Sequence, residues 1–462
     1  KNFLMVGALM VTAFFAATEI AKAADVTFGG EVRTRYEINE QSDFTDATEA
    51  DDFTSTRVRL NANVNVNDST SAFIQMQSVR TWGQNLEAAN TTNGGSGNAS
   101  TTNSDGDTSV GVHQAYFTLK NFATLPVDLQ LGRQEVVLDG HRLFGNTGWA
   151  QGAQTHDAIR LTHAHDNMTF LYAWIIVNED GTPTGTNVND RNDVEAHLAY
   201  FQYAGILGGK FSITYNWLQD GCGLTACDNL ANDSHTIGFR QAGQLYGIDY
   251  RGEYYHQFGD ATADGGAWTA GTAGKEIDRD AYMFGIRVGK AFDNVMMKPS
   301  LTVWYDYLSG TSDEDARAND FGGFNTLFDT GHKFYGFMDV FGTVGSGGQD
   351  TATRGLGLQD FAVKAKLSPM PGWTVKADYH WFYTAEGVSN TNVHGRALSG
   401  TGRHDDSDLG NELDVTLVNK YNANTNISIG YSNYTSSSAF RTLKATGGDD
   451  ANWAYVMFDV KF

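Results

Sequence analysis

Between Thr54 and Val66, the apolar residues Val58, Leu60, Ala62, Val64 and Val66 alternate with Arg57, Arg59, Asn61, Asn63 and Asn65. Such a period of two gives a strand one apolar and one polar face. The same alternation recurs in Gly209–Gln219, where Phe211, Ile213, Tyr215 and Trp217 share a side, and in Trp373–Tyr383. Segments of this length suit strands that cross a bilayer obliquely. The pattern predicts eighteen strands: 25–38, 54–66, 70–82, 110–120, 127–136, 155–163, 168–177, 191–203, 209–219, 233–241, 245–256, 278–290, 298–308, 355–368, 373–383, 410–420, 425–435 and 452–462. Without the weakest pair, 155–163 and 233–241, sixteen would remain. Segment 168–177 is apolar on both sides, so its register is open.

Short and long connections alternate along the chain. Asn67-Asp68-Ser69, His165-Asp166-Asn167, Pro369-Met370-Pro371-Gly372 and Tyr421-Asn422-Ala423-Asn424 read as tight turns. Segments 83–109, 309–354 and 384–409 are long, polar and rich in glycine. A soluble sandwich has no reason to sort its loops this way. A transmembrane antiparallel up-and-down β-barrel does, with tight periplasmic turns and long external loops. Segment 309–354 carries the aromatic stretch His332-Lys-Phe-Tyr-Gly-Phe-Met-Asp339 and is expected to pack inside the pore mouth.

The ends of the sequence fit the same reading. Lys1, the apolar run Phe3–Ala17 and Ala21-Lys22-Ala23 form a signal peptide over residues 1–23. Residues 24–462 then make one barrel domain. An exported chain that crosses a membrane as a barrel belongs in the outer membrane of a Gram-negative bacterium. The final strand presents Ala454, Val456, Phe458, Val460 and Phe462 on one side, and terminal Phe462 is expected to be the signal for the barrel-insertion machinery. Outer-membrane lipid and lipopolysaccharide are the implied surroundings. Cys222 and Cys227 are expected to close one small disulfide loop.

Composition narrows the function. The 462 residues carry 32 Lys+Arg against 54 Asp+Glu, a formal charge of −22, which speaks against nucleic-acid binding. The 52 glycines, 28 Phe and 20 Tyr with only 5 prolines fit a large all-β chain and exclude general disorder. Length alone would have suggested about three domains. G-x-S-x-G, H-E-x-x-H and Walker A motifs are absent, so no catalytic, cofactor or metal residues are predicted.

Charges belong on the side opposite the lipid. That parity places Arg33, Arg35, Arg57, Arg59, Arg160, Glu195, Asp249, Arg251, Glu253, Arg287, Lys364, Lys376 and Asp378 on the inside. A wall this charged suits a water-filled lumen, not a dry core. Arg33/Arg35 and Arg57/Arg59 lie on adjacent strands and would crowd one wall unless an anion or carboxylates offset them. Trp304, Phe382, Trp453 and Tyr455 share the inward parity and could stack sugar rings.

The stretch Leu131-Gly-Arg-Gln-Glu-Val-Val-Leu-Asp-Gly-His-Arg-Leu-Phe-Gly145, followed by Trp149 and Thr155-His-Asp-Ala-Ile-Arg-Leu161, resembles the signature of alginate-export-type outer-membrane porins. His332–Asp339 is similar to a stretch in many members of that group. The resemblance implies an eighteen-stranded monomeric barrel whose Arg-lined, electropositive constriction passes anionic oligo- or polysaccharide or smaller solutes. It carries over Arg133, Arg142 and Arg160 as pore residues. Arg133, however, has the parity of Leu129 and Leu131, so it faces lipid unless Gly132 makes a bulge. Two rival readings differ in class: a surface adhesin or scaffold plugged by 309–354, and a barrel sheath around a multihaem electron conduit. The chain has no Cys-x-x-Cys-His to bind haem itself.

Overall fold

The computed structural model describes residues 24–40, 44, 49–83, 110–178, 194–220, 233–262, 276–312, 314–315, 320–341, 353, 355–388, 406–444 and 447–462. Residues 1–23, expected to be a signal peptide, both cysteines and most of segments 83–109 and 384–409 lie outside the described residues.

Alternation of apolar and polar residues resolves into strands β1 (Asp25–Asn39), β2 (Asp51–Asn67), β3 (Thr70–Thr81), β4 (Gly111–Leu119), β5 (Asp128–Gln134), β6 (His156–His165), β7 (Met168–Asn178), β8 (Val194–Ile206), β9 (Gly209–Asp220) and β10 (Ser234–Leu245). The wall continues through β11 (Ile248–Thr262), β12 (Glu276–Ala291) and β13 (Ser300–Leu308). It is completed by β15 (Leu358–Leu367), β16 (Trp373–Val388), β17 (Asp406–Lys420), β18 (Thr425–Ser436) and β19 (Ala451–Lys461). The short β14 (Asp320–Phe321) is not a wall strand; it pairs in parallel with Asp278–Arg279 of β12. All neighbours in the wall are antiparallel, and β1 pairs with both β2 and β19, which closes eighteen strands into a barrel without an edge. The two weakest predicted segments are both present, as β6 and β10. One turn moved: it was expected at 242–244 and lies at Tyr246–Gly247, where φ of 52° and 74° makes the left-handed pair a two-residue hairpin needs.

Sidedness follows the pleat. Ile213, Ile237, Phe239, Ile286, Val288, Leu301, Val303, Leu413, Val415, Ile429, Phe458 and Val460 are exposed on the outer side, as a lipid-facing belt requires. Near the long-loop end, Tyr172, His197, Trp217, His235 and Phe258 stack ring against ring across the outside. Such an aromatic girdle marks the membrane interface. No helix among the described residues is long and apolar enough to cross a membrane; the strands do so.

The buried residues lie inside the tube. Two segments leave the wall and fold into the lumen. Residues 135–155 join β5 to β6, and residues 309–312 and 320–341 follow β13. Helix α1 (Ser438–Lys444) adds Phe440 to a cluster with Phe44, Phe341 and Tyr434. The placing of 320–341 within the barrel agrees with the expectation for the long aromatic loop.

Candidate functional site

The guanidiniums of β1 and β2 are the first anchor of segment 135–155. Cross-strand register sets Arg33 opposite Arg57 and Glu31 opposite Arg59. Arg33 donates to the carbonyls of Gly148 and Trp149, each at 2.8 Å, to that of Ala150 at 3.1 Å, and to the Gln151 side chain at 2.9 Å. Arg35 donates to the Trp149 carbonyl at 3.1 Å and lies 4.4 Å above the Trp149 ring. Arg57 donates to the Ala150 carbonyl at 3.2 Å and to both oxygens of Glu31. Arg59 donates to Gln77 at 2.6 Å and meets His113 at 2.9 Å, with Glu135 at 3.8 Å. Arg35 also pairs with Glu37 at 2.7 Å. Crowding of the four cations is therefore offset by carboxylates and by a turn of backbone carbonyls. Carbonyl acceptors leave no mark in a sequence, which is why this anchor could not be read there.

The opposite wall holds the same segment by charge. Arg142 is fully buried, donating to Glu253 at 3.1 Å, to Asp306 and to the Tyr335 hydroxyl at 2.7 Å, with its guanidinium 3.7 Å above the Phe334 ring. Arg251 shares both carboxylates, reaching Asp306 at 2.9 Å and Glu253 at 3.3 Å. Burial alone would lower the Arg142 pKa, but the charges of Asp306, Tyr335 and Glu253 outweigh it and push it above the ordinary value. Asp139 accepts from Tyr200 at 2.8 Å and Ser212 at 2.6 Å. Segment 135–155 is thus a crossbeam running from β1/β2 through the lumen to β8–β13.

Segment 320–341 packs on that crossbeam and on the wall. Asn325 and Gln257 exchange two hydrogen bonds at 2.8 Å. The amide of Met338 donates to Glu412 at 2.8 Å and that of Phe337 to Asp414 at 3.3 Å. Gly336 sits where a Cβ would come within 2.5 Å of the Glu412 carboxylate, so only glycine lets the backbone approach.

Other cations remain less spoken for. Arg287 stands opposite Arg251 and is half-buried; Arg240 lies 3.6 Å from both Asp139 and Glu253. Lys333 is exposed, and burial together with the charges of Arg240, Arg287, Arg251 and Arg142 pushes its pKa below the ordinary lysine value. Lys364 pairs with Asp378 at 3.1 Å and lies 4.8 Å from the Trp304 ring centroid. Asp249, Lys376 and Arg160 also take inward parity, Arg160 in register with buried Ala173.

Two predicted pore residues face the other way. Glu195 lies on the outer side, accepting from the Trp174 indole at 2.8 Å. The apolar side of β8 was ambiguous: Ala196 and Leu198 are fully buried toward the lumen, while Ala199 and Phe201 lie outside. Arg133 is also outside, in a two-pronged pair with Asp157 at 2.9 and 2.6 Å. Gly132 has φ +127°, but pairing continues through Arg133 and Gln134, so the parity holds. Phe462 bonds through its backbone to Gly30 at the β1–β19 seam. Trp453 and Tyr455 do face inward, but each meets the Trp149 ring edge-on.

A family model described as alginate export matches residues 24–453. No curated protein sequence matches the chain. Among solved structures it is similar to OccK9 (OpdG) of Pseudomonas aeruginosa, with TM-score 0.55 and 13% identity over 95% of this chain and 98% of that one. It is similar to OccAB3 of Acinetobacter baumannii, with TM-score 0.55 and 11% identity over 95% and 99%. OccK2 (OpdF) of Pseudomonas aeruginosa, solved in complex with glucuronate, aligns with TM-score 0.51 and 11% identity over 95% and 98%. At these identities the likeness is one of fold.

Proposed function

The chain belongs to the alginate export family and is an outer-membrane porin barrel, and from that premise we propose that it passes acidic saccharides passively through a cation-lined gap beside the crossbeam. The observation that carries this reading is Lys333, exposed in the lumen within the positive field of Arg240, Arg251 and Arg287. A carboxylate-bearing sugar entering there exchanges water for guanidinium and ammonium donors. Glucuronate, the ligand named for the similarly folded OccK2, is an anion of this class. No bond is made or broken during passage, so the protein acts without catalysis. The barrel works as a monomer surrounded by lipopolysaccharide, and Phe462 serves its insertion. Reversal potentials across a planar bilayer, with and without uronate oligomers, test the assignment. Anion preference that falls when uronate is added supports it; cation preference overturns it.

The plugged-scaffold reading draws on one observation, the packing of 320–341 against both crossbeam and wall. A folded barrel that conducts no ions under any condition would favour it.

A further inference from the structure

Asp329 lies where the two inner segments meet. Around it the segments are stitched by backbone bonds: Phe328 donates to the Leu143 carbonyl at 2.9 Å, Gly145 to the Phe328 carbonyl at 2.8 Å, and Thr330 to the His141 carbonyl at 3.0 Å. The Thr147 hydroxyl donates to the Asp329 carbonyl at 3.3 Å, and the Thr147 amide to Thr330 Oγ1 at 3.1 Å. Gly145 fits so closely that an added Cβ would lie 2.1 Å from Thr330 Oγ1. Within this seam the Asp329 side chain is fully buried, and among the described residues neither carboxylate oxygen meets a well-formed hydrogen bond, the Thr326 hydroxyl alone acting on it as a donor. An ionised carboxylate so placed is costly, whereas a protonated one is tolerable.

The surrounding charges do not relieve it. Arg142 is the nearest cation on the crossbeam, but its donors are taken by Glu253, Asp306 and Tyr335. His141 on the crossbeam has its pKa lowered by burial and by Lys333. His156 of the wall packs its ring on Phe328. On its own segment, His332 is paired with Asp339 at 2.9 Å, Lys333 points to open space, and Asp339 adds negative charge. Burial, opposed by the charge of Arg142 and by the Thr326 hydroxyl and reinforced by Asp339, pushes the Asp329 carboxyl up to about 7.

We propose that Asp329 is a proton-operated latch between the two inner segments: protonated, it lets them stay packed across the lumen; ionised, it drives them apart and widens the passage. The latch rests on the channel reading above. Its sign follows from linkage. Released into water, the carboxyl returns to an ordinary value near ~4. The packed state is therefore fully favoured below that value and loses favour as pH rises toward about 7, beyond which the effect levels off. Across that window opening gains about tenfold per pH unit.

The test uses the whole purified barrel in planar bilayers between pH 5 and 8, as wild type, Asp329→Asn and Asp329→Ser. Two neutral variants are used so that a folding failure in one leaves the other to decide. The wild type should open more often as pH rises from 5 to 7, by about tenfold per unit. The neutral variants should show a flat, mostly closed response. An equal pH response in wild type and folded variants overturns the latch, as does a wild type indifferent to pH. Infrared difference spectra and protease cleavage within 320–341, recorded over the same range, read the carboxyl and the loop without any current. A barrel silent at every pH refutes the channel, and these two readings still decide the latch.

Discussion

The indole of Trp149 lies flat on the imidazole of His332, with ring centroids 4.4 Å apart and planes 6° from parallel. Arg35 of the wall covers the other indole face, and Phe337 covers the far side of His332 at 5.0 Å. A four-layer stack thus joins wall, crossbeam and inner loop.

Trp149→Ala removes the middle of that stack. Aromatic pairs add about 0.5–1.5 kcal/mol each beyond their buried area. The inner loop should loosen while the barrel stays folded. Faster protease cleavage within 320–341, at unchanged thermal unfolding of the wall, is the expected result.

Arg142→Ala takes one of the cations from two buried carboxylates, Glu253 and Asp306, and leaves them to Arg251. Breaking one side of a buried ion network costs about 3–5 kcal/mol. Arg142→Lys should rescue little, because an ammonium lacks the planar fork that reaches both partners and Tyr335. Denaturant unfolding in detergent would measure both.

The two groups of lumen cations should part company in selectivity. Arg287→Ala with Lys333→Ala should lower anion preference in reversal-potential measurements. Arg57→Ala with Arg59→Ala should instead free the 148–151 turn, raising current noise with a smaller change in preference. The opposite ranking would move the selective gap to the β1/β2 wall.

Acid acts on Glu135 with the sign opposite to Asp329. Burial raises its carboxyl, but hydrogen bonds to His113 and Asn146 and the charge of Arg59 outweigh that and hold it below the ordinary range. Its contribution is therefore present above the ordinary carboxylate value near ~4 and is lost as pH falls through its lowered one. Glu135→Gln should flatten the strongly acidic part of the pH response of loop release, seen as protease cleavage near 135–147, and leave the pH dependence in the neutral range unchanged.

The wall was legible because lipid and water impose a period of two on every strand. Parity alone placed Arg33, Arg57, Arg251 and Arg287 correctly. It failed at Glu195, because β8 is apolar on both sides, with Ala196 and Leu198 buried toward the lumen. Arg133 shows the reverse: its motif argued for the lumen, and its parity, together with Asp157, settled it outside. The crossbeam itself was invisible, since its anchors are carbonyls of Gly148, Trp149 and Ala150 and the Arg33 that holds them lies more than a hundred residues away.

A tube held at one side only can ovalise freely under lateral membrane pressure. Here a strut fixed to Arg33 and Arg57 on one flank and to Glu253 and Asp306 on the other ties the two flanks together. Squeezing by the surrounding lipid is thereby carried to the crossbeam itself, so the stiffness of the membrane bears on the passage proposed beside it.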